Sequence, residues 1–168
     1  MKSYHFAFLI FSFLIAACVS YDMPVIYHRN FSPGTNDKLR FDGCYIQPMQ
    51  GKNVKPVFLY ANGSACVAET QIDSSLVSVP DAAVYSWGNY KVNADTIIVE
   101  RFYKEEAGSN FNRILMRGVI GKDRIDWNLR TFHRNKPDTV SYTSYFRYAG
   151  VKPDSTKNWT RTREQYNR

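Results

Sequence analysis

The side chains able to do chemistry are few and dispersed. Three cysteines and three histidines occur in 168 residues. His133 is the only histidine beyond residue 38, and it sits beside Arg134 at the end of an apolar stretch, an ordinary place for a solvated imidazole. Glu105 and Glu106 fall in a polar turn. A hydrolase needs a nucleophile, a base and a group that orients the base. No Gly-x-Ser-x-Gly elbow, His-rich metal spacing or phosphate-binding glycine loop is present. The chain is therefore not expected to be an enzyme or to hold a metal or cofactor. One thiol has a distinctive setting. Cys18 directly follows Ala16 and Ala17, whose small side chains admit a peptidase to the backbone. Before them runs an apolar stretch over residues 6–15, broken only by Ser12 and preceded by Lys2. That length of about ten suits a signal peptide, whereas a membrane span needs about twenty.

The order Leu14-Ile15-Ala16-Ala17-Cys18 resembles the lipobox of bacterial lipoproteins. The resemblance implies that residues 1–17 are a signal peptide, and that Cys18 becomes an acylated N-terminus carrying a diacylglyceryl thioether and an N-acyl chain. Several acyl chains anchor stably where one binds only marginally, so the implied partner is a lipid bilayer and the implied location is the bacterial cell envelope. Val19 follows the cysteine where an Asp would have suggested inner-membrane retention, which favours the outer membrane.

Removing the first 17 of 168 residues leaves 151, one domain of ordinary size. The net charge of +7 falls by the single Lys2 to +6, a surplus that could suit an anionic partner. The basic residues are scattered and no nucleic-acid-binding motif gathers them, so a solvated surface and no nucleic-acid partner are expected. Residues 18–38 read as the lipidated N-terminus and a tether, with Pro24, Pro33 and Gly34 among polar neighbours.

From residue 39 the pattern has period two. Leu39, Phe41, Gly43 and Tyr45 alternate with Arg40, Asp42 and Cys44, which reads as a first strand. Residues 57–61 and 65–69 flank Asn62-Gly63, a strong hairpin signal because both residues tolerate positive φ. Residues 73–83 resist assignment. Further strands are expected at 85–92, 96–103, 111–120, 124–132 and 140–148. In the seventh, Ile125, Trp127, Leu129 and Thr131 share one face, and Asp126, Asn128 and Arg130 the other; in the eighth, Val140, Tyr142, Ser144, Phe146 and Tyr148 align. Strands joined by short turns pair antiparallel, and eight of them with one apolar face close most simply into an up-and-down barrel. The expected fold is thus all-β, a single antiparallel eight-stranded barrel over residues 39–150, followed by a basic tail, 151–168. Cys44 and Cys66 fall on the first and third strands, about 10 Å apart, too far for a disulfide; both are expected free and buried.

Residues 39–150 resemble the lipocalin-like proteins, including small outer-membrane lipoproteins with this barrel. Lipocalins carry Gly-x-Trp on the first strand with a basic side chain from the last strand over the indole. Gly43-Cys44-Tyr45 stands at that place with Tyr for Trp, and Arg147 is the candidate basic partner. Trp87-Gly88-x-Tyr90, followed by Asp95-Thr96-Ile97, is similar to strand patterns in small bacterial lipoproteins of this shape. A middle Thr-Asp-Tyr turn is missing, which leaves open a convergent small barrel.

An eight-stranded barrel either fills with side chains or holds one small ligand. Candidate lining residues are Tyr45, Tyr90, Trp127, Tyr142, Phe146 and Tyr148, which could form an aromatic pocket with hydroxyls for orientation. Along residues 96–103, either Arg101 or Glu100 must point inward, and a buried charge needs a partner; the rim is the alternative place for it. Arg113 and Arg117 are expected outside. The expected role is a membrane-anchored envelope lipoprotein that binds a small apolar or amphipathic ligand. The alternative is a structural or interaction lipoprotein, an envelope complex subunit or inhibitor, with a filled barrel. The tail, with Lys152, Lys157, Arg161, Trp159 and Tyr166, is either a docking segment for a partner or anionic lipid or a frayed terminus.

Overall fold

The computed structural model describes residues 32–47, 53–71, 77–104, 111–132 and 137–161. Cys18 and the residues before it, Glu105, Glu106 and His133 lie outside them. The strands are β1 (Gly43–Ile46), β2 (Asn53–Val54), β3 (Val57–Leu59), β4 (Ser64–Ala68), β5 (Thr70–Gln71), β6 (Val77–Ser78), β7 (Val84–Asn93), β8 (Thr96–Lys104), β9 (Phe111–Gly121), β10 (Arg124–Phe132) and β11 (Asp138–Val151). Short 3-10 turns stand at Asp81–Ala83 and Ser155–Lys157. Among the described residues no helix is long and apolar enough to cross a membrane.

Eight strands, in the order β1-β3-β4-β7-β8-β9-β10-β11, pair antiparallel, and β11 returns to β1. The result is a closed up-and-down barrel of the lipocalin-like kind. Outside it, β2 and β5 form a small ribbon, and β6 lies parallel to the end of β11 at Ala149 and Val151. Part of the stretch that resisted assignment thus supplies β6 and the turn Asp81–Ala83.

The period-two pattern produces two cores on the two faces of one sheet. Tyr45, Leu59, Val67, Tyr90, Val99, Met116, Ile125 and Trp127 belong to a cluster drawn from seven barrel strands, with Tyr142 and Phe146 of β11 packed against it, and this cluster is the interior. Their strand neighbours Cys44, Phe58, Cys66 and Trp87, on β1, β3, β4 and β7, form a second cluster on the outer face, together with Val54 of β2 and Val77 of β6. Cys44 and Cys66 are both buried there and free. Phe58 pairs with Cys66 and stands on the strand between the two thiols.

The hairpin at Asn62-Gly63 forms with a narrower use of positive φ than both residues would allow. Only Gly63 takes the left-handed conformation, at φ 85°. Gly63 N donates to Tyr60 O at 2.9 Å and Tyr60 N to Ser64 O at 3.0 Å, while Asn62 Oδ1 accepts from Ser64 N at 2.9 Å. This is a three-residue loop ending in a left-handed glycine, a common hairpin form.

Three features depart from the alternating pattern. First, β1 begins at Gly43, not at Leu39. Tyr45 Oη accepts the backbone N–H of Arg40 at 3.0 Å, so residues 39–42 fold over the barrel end instead of extending the strand. Second, β10 has a register shift between Trp127 and Leu129 against both neighbours. An extra residue in a strand inverts the faces beyond it. Arg130 pairs with interior Met116, and Phe132 with interior Ile114, so Arg130 turns inward while Leu129 and Thr131 turn outward. Third, the tail through Arg161 is neither frayed nor free. Asn158, 1% exposed, donates from Nδ2 to Gly88 O at 2.8 Å and to Ser64 Oγ at 3.1 Å. Trp159 packs edge-on against Phe102 with ring centres 6.2 Å apart, and Lys157 pairs with Asp81. The segment covers the outer apolar face that four barrel strands leave unpartnered.

Candidate functional site

One end of the barrel is sealed. The loops at residues 60–64, 93–96 and 121–124 gather there, and the segment from Pro33 to Asp42 crosses it. Val92 N donates to Pro33 O at 2.6 Å, Asn36 Nδ2 to Ala94 O at 2.9 Å, and Lys38 pairs with Asp95 at 2.9 Å. Residues 33–38, read from sequence as tether, therefore belong to the barrel. Arg40 completes the seal. Its guanidinium lies 4.0 Å from the centre of the Phe146 ring and 4.7 Å from that of Tyr148, with Asp42 at 2.8 Å and Asp123 at 3.1 Å. The hydrogen bonds it donates to Asp42, Tyr148 and Asp123 reinforce its charged state. The basic side chain over the barrel's aromatic end thus comes from the entering segment. Arg147, the candidate for that place, is exposed and pairs with Cys44, whose side chain belongs to the outer face.

Above this seal the interior is packed solid. Tyr45, Tyr90 and Trp127 are at most 2% exposed, and each polar atom has a protein partner. Tyr90 Oη donates to Tyr60 O at 2.8 Å, and Trp127 Nε1 to Ser144 Oγ at 3.0 Å. Gly118 makes room for the indole: a β-carbon there would stand 3.0 Å from Trp127 Cε3 and 2.8 Å from Ile125 Cγ2. Tyr45 meets Phe146 edge-on at 5.6 Å, and Phe146 meets Tyr148 at 5.4 Å. Tyr148 itself is 54% exposed at the sealed rim. Five of the six candidate lining residues are thus core or seal, and Tyr142, opposite Trp127 with ring centres 6.4 Å apart, borders the part-buried end.

That other end is different. Arg101, Tyr103, Asn112, Arg130, Phe132 and Val140 are all only part-buried, although each sits at an inward register position or against the interior core. Tyr142 is part-buried beside them and reaches only a sulfur, Met116 Sδ, at 4.0 Å. Burial pushes its phenol pKa up, and the charges of Arg101 and Arg130 act against that rise.

Arg101 and Glu100 resolve as the alternation requires. Arg101 pairs with Gly88 and Ile114 and faces the interior. Glu100 points outward yet is fully buried, beneath the C-terminal segment and 3.4 Å from Arg113 Nη1. Arg113 and Arg117 are on the outer face, and Arg117 is exposed. Sequence reasoning missed Arg130, Phe132 and Tyr103 as a group; for the first two the bulge in β10 hides the signal.

No protein-family model, curated protein or solved structure matches the chain. What the site can do rests on its own geometry. Among the described residues no three His, Cys, Asp or Glu side chains come together as a metal site. The part-buried half offers apolar side chains with cationic and hydroxyl groups, the composition of a binding site for an amphipathic molecule.

Proposed function

We propose that this protein is a lipid-anchored lipoprotein of the bacterial envelope, acylated at Cys18, whose barrel binds a small apolar or amphipathic ligand without catalysis. The observation that carries the binding role is the contrast between the two halves of one interior. Around Tyr45, Tyr90 and Trp127 the side chains are fully buried, whereas Tyr103, Phe132, Val140 and Tyr142 keep part of their surface open at the opposite end. A barrel that served only as a scaffold would gain about 25 cal/mol for each Å² of that apolar surface it buried. The lipobox residues support the anchor. The outer membrane is the favoured address because Val19 follows Cys18.

Native mass spectrometry of the full chain, exported by a bacterium with Cys18→Ser so that no attached acyl chain competes, tests the binding role. A discrete adduct released by organic solvent is the expected result. A clean apo mass, unchanged after incubation with an envelope lipid extract, would replace it with a filled barrel that works through its surface. The intact mass of the unsubstituted protein reads the acyl chains on Cys18 directly.

A further inference from the structure

Two arginines inside a barrel are an unusual use of charge. A guanidinium keeps its charge when buried, so its N–H groups need acceptors or a counter-charge. Arg101 and Arg130 are part-buried, and the Nε of each is inaccessible to solvent and has no hydrogen-bond partner among the described residues. Arg130 spends Nη2 on Asp138 at 3.3 Å, at the rim where that carboxylate is 63% exposed. Arg101 makes no ion pair among the described residues. The Tyr142 hydroxyl adds a donor satisfied only by a sulfur.

The three groups stand at inward register positions on β8, β10 and β11. Arg101 lies opposite Ile114 on β9, and Arg130 lies opposite Met116 on the other side of the same strand. Their backbones are two strands apart, about 10 Å across the sheet, a span that two long side chains leaning inward can close around one small anion. Tyr142 follows on β11, next to β10. Below them is the packed interior; beside them are Phe132, Val140 and Tyr103. Donors for an oxyanion therefore border an apolar surface.

We propose that this half of the barrel is a receptor for an anionic amphiphile, with Arg101 and Arg130 binding its carboxylate or phosphate, Tyr142 donating to the same group, and Phe132, Val140 and Tyr103 receiving its apolar body. The inference rests on the ligand-binding reading above and adds the ligand's charge and the residues that recognise it. The planar arginine fork suits both oxyanions, because each offers two acceptor oxygens in one plane. The bulge in β10 is what makes the site, since without it Arg130 would point to solvent.

Isothermal titration of the full chain carrying Cys18→Ser compares octanoate, octyl phosphate, octanol and inorganic phosphate. One or both octyl anions should bind about tenfold or more tightly than octanol. Replacing both arginines, Arg101→Met with Arg130→Met, should bring octanol and the anions within about twofold, while Arg147→Met on the outer face leaves the preference intact. Should the double variant fail to fold, Arg101→Gln alone and the wild-type comparison carry the same test. Equal binding of octanol and octanoate by the wild type would overturn the head-group site and leave the barrel as a binder. Inorganic phosphate binding as tightly as octyl phosphate would overturn the amphiphile in favour of a free oxyanion. No binding of any octyl compound would overturn both this inference and the reading beneath it.

Discussion

At the scale of single residues, the chain separates charges that satisfy each other from charges that wait for something else. Glu100 and Arg113 are the first kind: a carboxylate with no exposure, met by a guanidinium at 3.4 Å on the outer face. Removing one partner of a buried pair takes away part of what offsets the other's desolvation. Arg113→Met should therefore cost about 3–5 kcal/mol in urea unfolding, and Arg113→Met with Glu100→Leu should cost less than the single change. Arg101 is the second kind, and so is the Nε of Arg130, whose Nη2 already pairs with Asp138 at 3.3 Å. Of these, Arg101 was legible, because strict alternation along β8 forces either it or its neighbour inward. Arg130 was not. It shares a polar-looking face with Asp126 and Asn128 in the sequence, and only the register shift after Trp127 moves it across the sheet. Alternation reads faces correctly up to the first bulge, and a bulge has no composition of its own when, as here, neither glycine nor proline marks it.

At the scale of elements, the strands announced themselves and their coverings did not. Eight runs of period two, divided by turn residues such as Gly63, became the eight barrel strands. The segments crossing the barrel end and the outer face are held by single anchors, Pro33, Arg40, Asn158 and Trp159, and pattern misleads there: residues 39–42 alternate like a strand yet cross the barrel end. Pro33 and Asn158 look like ordinary loop residues, because Pro and Asn are common in loops. The C-terminal anchor gives a measurable prediction. Asn158→Ala would leave Gly88 O without its side-chain donor and Ser64 Oγ with Arg161 Nη1 at 3.3 Å, at a cost of about 1–3 kcal/mol, and would loosen the C-terminal segment whose Trp159 packs on the cluster that holds Cys66. The Cys66 thiol is buried and pushed up to about 12 by that burial. A maleimide at pH 7.5 should thus label Cys66 slowly in the wild type and clearly faster in Asn158→Ala, as followed by intact mass.

The molecule as a whole hides acids that ionise only at high pH, and its stability should show it. Burial raises Cys44 and Cys66 from 9.0 to about 12, and raises Tyr90 as well. A raised acid favours its neutral form in the fold, so the fold is unaffected while the unfolded thiols are also neutral. Above about pH 9 the unfolded chain loses protons that the folded chain keeps, and stability falls as the pH climbs toward 12. Urea midpoints should accordingly hold level from pH 7 to 8.5 and drop by pH 10.5, with Cys44→Ala and Cys66→Ala together reducing the drop. The seam of the barrel adds a constraint of another kind. Gly43 pairs with Tyr148, so the first strand is joined to the last. The cylinder cannot shut while any part of residues 43–148 is still on the ribosome or in a translocation channel, and pairings this distant in sequence form slowly, on the order of milliseconds to seconds. For a chain exported as proposed above, the closing strand acts as a timer: the polypeptide stays threadable until nearly all of it has passed, and only then can it become a container.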